Sequence, residues 1–237
     1  MRVIIKAFKA MDDPESTQKY LNGHAEVLRV MGITKVTSAD VSWCEVPDNY
    51  IISVESTDNA RALGGGRLQV FTDKQRLPIE AAVYEKDPKI VPIIERFKYH
   101  DTAEFCGLWN SKEIAGYGIG SIFLGRVGVA MAHMLNLRSL FALCSPATLN
   151  NCLKVGFEVV TSLGKDGLFY YPTERLVATA LIISNLEELP WADISDRERI
   201  INLRENPVQI AMEIGPKGEM EIEYDLNIQQ VKRVYSV

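Results

Sequence analysis

Apolar positions recur along this chain with two different periods, and the switches between them mark the elements. In Met1–Ala10, Val3, Ile5 and Ala7 share one face while Ile4 and Phe8 fall on the other, which predicts a short strand covered on both sides. Asp13-Pro14-Glu15 supplies an N-cap, a first-turn proline and a first-turn acid. Leu21, Ala25, Leu28 and Met31 follow at helical spacing, and Gly32 ends that helix. Tyr50–Glu55 and Arg67–Phe71 read as strands, with Arg61–Gly66 between them as a tight hairpin or bulge. Asp87-Pro88 opens a short helix through Phe97, restricted by Pro92, within a long connection from Asp73 to His100.

Thr102–Asn110 is a strand that holds Glu104 among apolar neighbours. From Ile119, the positions Ile122, Phe123, Val127, Ala130, Met131, Met134 and Leu135 make a broad helical stripe, with Gly125 and Gly128 allowing close approach to a sheet. Ser139–Cys144 is an apolar strand, Pro146–Lys154 a short helix, Gly156-Phe157 a turn and Glu158–Thr161 a strand. Gly164–Gly167 is a loop, and Val177–Ile183 is a buried strand by its β-branched content. The order predicts an α/β (α+β) fold, a mixed sheet with covering helices.

The final fifty residues read as an addition. Ser195-Asp196-Arg197-Glu198 has the form of a capping box whose helix stops before Pro207. Val208, Ile210, Met212 and Ile214 alternate, Gly215-Pro216-Lys217-Gly218 turns, and Met220, Ile222, Tyr224 and Leu226 alternate again. This predicts a hairpin with one apolar face, covered by its own domain or by a second subunit.

Composition narrows the function classes. The 237 residues carry 26 basic and 31 acidic side chains, a net charge of −5, which argues against a nucleic-acid partner. An apolar share of 47% with 24% charged excludes intrinsic disorder. No apolar run approaches the ~20 residues of a membrane span, and the start Met1–Lys6 is too short and charged for a secretory signal. Cys44, Cys106, Cys144 and Cys152 lie far apart with no C-x-x-C, and His24, His100 and His133 show no paired spacing. Neither a disulfide framework nor a metal site is expected, and the setting is reducing cytoplasm. His24 is expected on a helix flank and His133 in a structural role.

The main chemical clue is Ala115-Gly116-Tyr117-Gly118-Ile119-Gly120, between a strand and the long helix. Glycines there let a ligand approach the backbone, and free N–H groups with the helix dipole attract phosphate. The same glycines also fit a strand-to-helix turn that binds nothing. No Gly-Lys-Ser/Thr follows, so a P-loop is excluded. Phe123 in the third glycine position and no acid after Leu143-Cys144-Ser145-Pro146 argue against a dinucleotide fold.

This stretch resembles the GNAT acyltransferase fingerprint Arg/Gln-x-x-Gly-x-Gly/Ala, with both glycines matched and Ala115 in place of the basic or amide residue. The strand Ser139–Cys144, helix Pro146–Lys154 and turn Gly156-Phe157 resemble the superfamily's second signature, where Cys152 stands at a position often held by Tyr. The resemblance implies a GNAT-like domain over residues 1–185, with residues 186–237 as a C-terminal helix and β-hairpin extension packed on it or at a dimer interface.

It further implies coenzyme A, as acetyl-CoA or a longer acyl thioester, or an acyl carrier protein, as donor, with no metal. Backbone amides of Gly116, Tyr117, Gly118, Ile119, Gly120 and Ser121 would hold the diphosphate. The edge of Leu108-Trp109-Asn110 would pair with the pantetheine amides, with Cys152 nearby. Glu104 is the implied base for an amine acceptor, either desolvated among Phe105, Leu108 and Trp109 or facing solvent or an arginine. Tyr170 and Tyr171 are candidate acids or packing residues.

Leu168–Pro172 and the Asp73–His100 connection also resemble, loosely, GNAT-like N-acyl amino acid and acyl-homoserine lactone synthases. Three readings follow: an N-acetyltransferase, a long-chain N-acyl amino acid synthase-like enzyme, or a GNAT-like binding protein without catalysis.

Overall fold

The computed structural model describes residues 1–32, 41–58 and 60–228. Among these, ten strands form one sheet in the order β6-β8-β5-β4-β3-β2-β1-β10-β9, with β7 also paired to β8. The strands are β1 (Arg2–Lys9), β2 (Asn49–Glu55), β3 (Ala62–Val70), β4 (Thr102–Asn110), β5 (Ser139–Cys144), β6 (Glu158–Val159), β7 (Leu168–Tyr170), β8 (Val177–Ile183), β9 (Val208–Gly215) and β10 (Gly218–Asp225). The helices are α1 (Pro14–Met31), α2 (Pro78–Val83), α3 (Ile90–Ile94), α4 (Leu124–Met134), α5 (Pro146–Lys154) and α6 (Ile194–Glu205). The β4–β5 and β1–β10 pairs are parallel, and the other neighbours are antiparallel.

The sheet is covered unequally. On one face α4 lies on the inward rows Val3/Ile5/Ala7, Tyr50/Ile52/Val54 and Ala103/Phe105, forming the largest apolar core. A Cβ on Gly128 would come within 2.6 Å of the Phe105 ring, so this glycine does permit the close approach its position predicts. At Gly125 the nearest atom, in Val155, is an ordinary 3.6 Å away, and nothing there demands glycine.

The opposite face is polar where α1 covers it. Asp13 caps α1 by accepting from the Ser16 amide at 2.9 Å, and Gly32 ends it in the left-handed conformation, as the sequence predicts. The inward stripe is different: Leu21, Leu28 and Ala25 are half-buried or exposed, while Ser16, Thr17, Tyr20 and His24 are buried. These side chains face Ser53, Glu55 and Arg67 of the sheet, all buried. They serve as donors there, Thr17 Oγ1 to Ala10 O at 2.8 Å and Tyr20 Oη to Gly107 O at 2.7 Å. Apolar periodicity fails because the sheet presents polar side chains on this side, and the helix meets them with polar ones. His24 is thus interior rather than on a flank, and burial pushes its imidazole down to about 4.

Three further expectations change. The β2–β3 turn precedes the glycines, so Gly64, Gly65 and Gly66 lie inside β3, where the register against β4 shifts. The long connection holds two helices, α2 and α3, rather than a single one from Asp87 to Phe97. The last helix is entered through Asp193 with Ile194 as its first residue, so Ser195 lies inside the first turn and is no cap.

Residues 186–228 continue the same sheet. Strand β10 runs beside β1, with Val3 opposite Ile222, and α6 packs on α4. Arg126 of α4 ties both additions down, its Nε 2.6 Å from Asp196 Oδ1 and its Nη1 3.4 Å from Glu213 Oε2. The hairpin does not have one apolar face. Gly215 stands opposite Gly218, so Met220, Ile222 and Tyr224 share the core face with Glu213, Ala211 and Gln209. Val208, Ile210, Met212 and Ile214 point outward, 57–75% exposed, beside the acidic row Glu219, Glu221, Glu223 and Asp225.

Candidate active site

Strands β4 and β5 pair only through Thr102–Ser139, Ala103–Leu140 and Glu104–Phe141. Beyond Glu104 they separate, and β4 continues to Asn110 with β3 as its ladder partner. The cause is local. Gly107 adopts φ +61°, the register against β3 shifts between Gly65 and Arg67, and the strand bends at this bulge. Tyr20 of α1 fixes the bulge through its bond to Gly107 O. A gap therefore opens between the backbone of Cys106–Asn110 and that of Ala142–Cys144.

Glu104 sits at the fork. It is 3% exposed and accepts a hydrogen bond from the Ile79 amide at the start of α2, at 2.5 Å. Burial pushes its carboxyl up to about 8, against the opposing pull of the Ile79 amide and of Arg67. Glu104 is both desolvated and turned toward an arginine, so features of both readings meet here. Near Glu104 on the same face lies Arg67, 2% exposed, stacked 4.2 Å over the Trp43 ring, with its Nε lacking a hydrogen-bond partner. Neither Arg67 nor Tyr20 carries a motif. A charged residue within a strand-like apolar run is the one signal that singles out Arg67.

At the other end of the gap, Asn110 leads into the glycine segment. Gly118 has φ +86°, a value that L side chains rarely adopt, and its carbonyl accepts from Ser121, Ile122 and Phe123 as a wide turn at Ile119–Phe123 before α4. The Gly118, Ile119 and Gly120 amides donate to no acceptor among the described residues. The Asn110 carboxamide packs over Gly120, and its Oδ1 is buried without a partner. Free amides at the positive end of a long helix suit a phosphorylated ligand, and the Asn110 carbonyl oxygen suits a donor rather than the phosphate.

The other sequence candidates scatter. Leu108 is 41% exposed, whereas Trp109 is buried against α1, so only the backbone of Leu108–Asn110 remains for a ligand. Tyr171 is half-buried in the apolar cluster that contains Ile79 and Phe141, and Tyr170 is 61% exposed on β7. Cys152 lies beside Cys144 at the end of β5, and that thiol together with burial pushes Cys152 well up. All four cysteines are free, and among the described residues no cluster of three or more His, Cys, Asp or Glu could hold a metal. No described helix is long and apolar enough to cross a membrane.

No family model matches the chain, and no curated protein matches it. Solved structures do. FeeM, an N-acyl amino acid synthase from uncultured soil microbes, superposes with TM-score 0.60 at 12% identity over 83% of this chain and 98% of its own. BjaI, a CoA-dependent acyl-homoserine lactone synthase solved with SAM and isopentyl-CoA, gives 0.56 at 11% identity over 84% and 89%. An acyl-CoA N-acyltransferase from Pseudomonas aeruginosa gives 0.52 at 13% identity over 76% and 98%. With a forked β4–β5 pair, a glycine turn into the helix behind it and these superpositions, the chain has the GNAT acyltransferase fold.

Proposed function

We propose that the protein is an N-acyltransferase that moves an acyl group, acetyl in the first instance, from a coenzyme A thioester to a small-molecule amine by direct transfer in a ternary complex. The observation that carries this reading is the gap itself, with a desolvated carboxyl at its apex and unpaired amides at its mouth. Within Gly116–Ser121, the free amides of Gly118, Ile119 and Gly120 bind the diphosphate, and the free edge of Leu108–Asn110 accepts the pantetheine as an added strand. That places the thioester carbonyl near Glu104. As the amine nitrogen bonds to the carbonyl carbon, Glu104 takes its proton. As the C–S bond breaks, the thiolate takes a proton from the donor side, for which Tyr171 is the candidate. Tyr170 is a rim residue by its exposure.

Arg67 favours a second reading, the N-acyl amino acid synthase-like one. A buried guanidinium with an orphaned Nε is costly unless an anion completes it, and a carboxylate on the acceptor is such an anion. A longer acyl chain, delivered by CoA or an acyl carrier protein, belongs to the same reading. Native mass spectrometry with CoA, acetyl-CoA and long-chain acyl-CoAs decides between them by which donor is retained, and an amino acid panel then tests the acceptor. A protein that retains none of these donors removes both readings and leaves a GNAT-like binding protein.

A homodimer joined along β9 would cover the exposed row Val208, Ile210, Met212 and Ile214, on a strand that carries neither lysine nor proline to guard its edge. Light scattering should give twice the chain mass, and Ile210→Lys should return it to the monomer mass. A monomer in the unsubstituted protein rejects this arrangement. Four free thiols fit a reducing cytoplasm.

A further inference from the structure

We infer that Lys217, carried by the turn of the C-terminal hairpin, is the cation that neutralises the donor's diphosphate. This rests on the reading of Gly116–Ser121 as the diphosphate cradle. The cradle itself holds no basic side chain, since Gly116-Tyr117-Gly118-Ile119-Gly120-Ser121 is uncharged. Neutral amides shape a phosphate site but leave most of the charge of a diphosphate unanswered.

The hairpin brings a charge to this place and pins it. Lys217 Nζ donates to Ala115 O at 2.5 Å and stands 5.5 Å over the Tyr117 ring. A Cβ on Gly116 would come within 2.6 Å of Lys217 Cε, so the lysine stem lies directly on the loop. The turn around it is equally close. Pro216 Cδ is 3.3 Å from the Cβ position of Gly118, and Gly215 abuts the Tyr117 carbonyl. The Ala115 carbonyl uses one of the three ammonium donors, and the others are left for phosphate oxygens. An ammonium fixed against the cradle loses less freedom on binding than one free in solvent, so its contribution is enlarged. The hairpin thus adds a charge that the segment Gly116–Ser121 does not itself carry.

The alternative role is a clamp, in which Lys217 holds only the Ala115 carbonyl. Titration calorimetry of CoA against the unsubstituted protein, Lys217→Met and Lys217→Arg, at low salt and near 1 M salt, separates the two. Lys217→Met keeps the stem and loses the charge. It should bind CoA about tenfold more weakly at low salt, Lys217→Arg should stay close to the unsubstituted protein, and the difference should shrink at high salt, where the screening length is about 3 Å. Unchanged affinity in Lys217→Met at low salt overturns the inference, as does a loss of equal size at both salt concentrations. If the unsubstituted protein binds no CoA, the cradle reading falls first and takes this inference with it.

Discussion

Glu104→Gln should bind CoA within about twofold of the unsubstituted protein and lose turnover by a factor on the order of 10²–10⁴, the usual contribution of a positioned base. Gln keeps the carbonyl oxygen that accepts from the Ile79 amide, so the fork at Glu104–Phe141 should remain. The pH profile gives a second check. A base pushed up to about 8 is mostly protonated at neutral pH, so the rate should climb with pH and level off above about 8. In the folded protein this carboxyl holds its proton at pH values where the unfolded chain has released it, so its linkage term favours the fold at low pH and fades as pH rises through about 8. The Gln variant, neutral at every pH, escapes that loss, and a fall in its rate at pH 8 cannot be charged to unfolding if the melting temperature holds. Unchanged turnover removes Glu104 from the chemistry.

Gly118→Val should reduce CoA affinity more than a hundredfold, the equivalent of about 3 kcal/mol or two charge-assisted amide contacts. The route is the backbone rather than simple filling of the cradle. The Cβ position of Gly118 meets Ile122, Pro216 and Phe123 at 3.2–3.4 Å, which is crowded but not open ligand space. What valine cannot adopt without strain is φ +86°, and relaxing it turns the Gly118 and Ile119 amides away from the mouth. Calorimetry measures the loss, and thermal melting reports the cost to the fold separately, since Ile119 and Phe123 of this turn belong to the main core. Retained affinity would mean that the donor's phosphates are held elsewhere.

Much of this molecule can be read from its residues, and the exceptions share a cause. Strands β4, β5 and β8 fall where their apolar runs place them, since each has buried residues along its length, and helix α5 falls where Pro146 and Gly156 bound it. The glycine turn into α4 is legible too, from Gly118 and Gly120 between a strand and a helical stripe. Helix α1 defeats its own periodicity because the face beneath it holds Arg67, Glu55 and Ser53, and only Ser16, Thr17, Tyr20 and His24 suit such neighbours. The hairpin defeats the rule of alternation because each strand alternates correctly while the turn sets the two rows on opposite faces. Lys217 is invisible in sequence because its meaning depends on a partner loop roughly a hundred residues earlier, and no local pattern encodes that distance. Tyr20 and Gly107 are hidden likewise, joined across a separation of 87 positions.

The neighbourhood of β1 and β10 has a consequence for how the protein is made. Arg2 stands opposite Glu221, roughly two hundred positions later, so β1 waits for a strand made far later in the same chain. Until then its flank is an open template for mispairing, and Gly116–Gly118 lack the turn that packs against them. A chain that stops before Lys217 would therefore keep the β4–β5 fork and lose the contact that the later turn makes with Ala115.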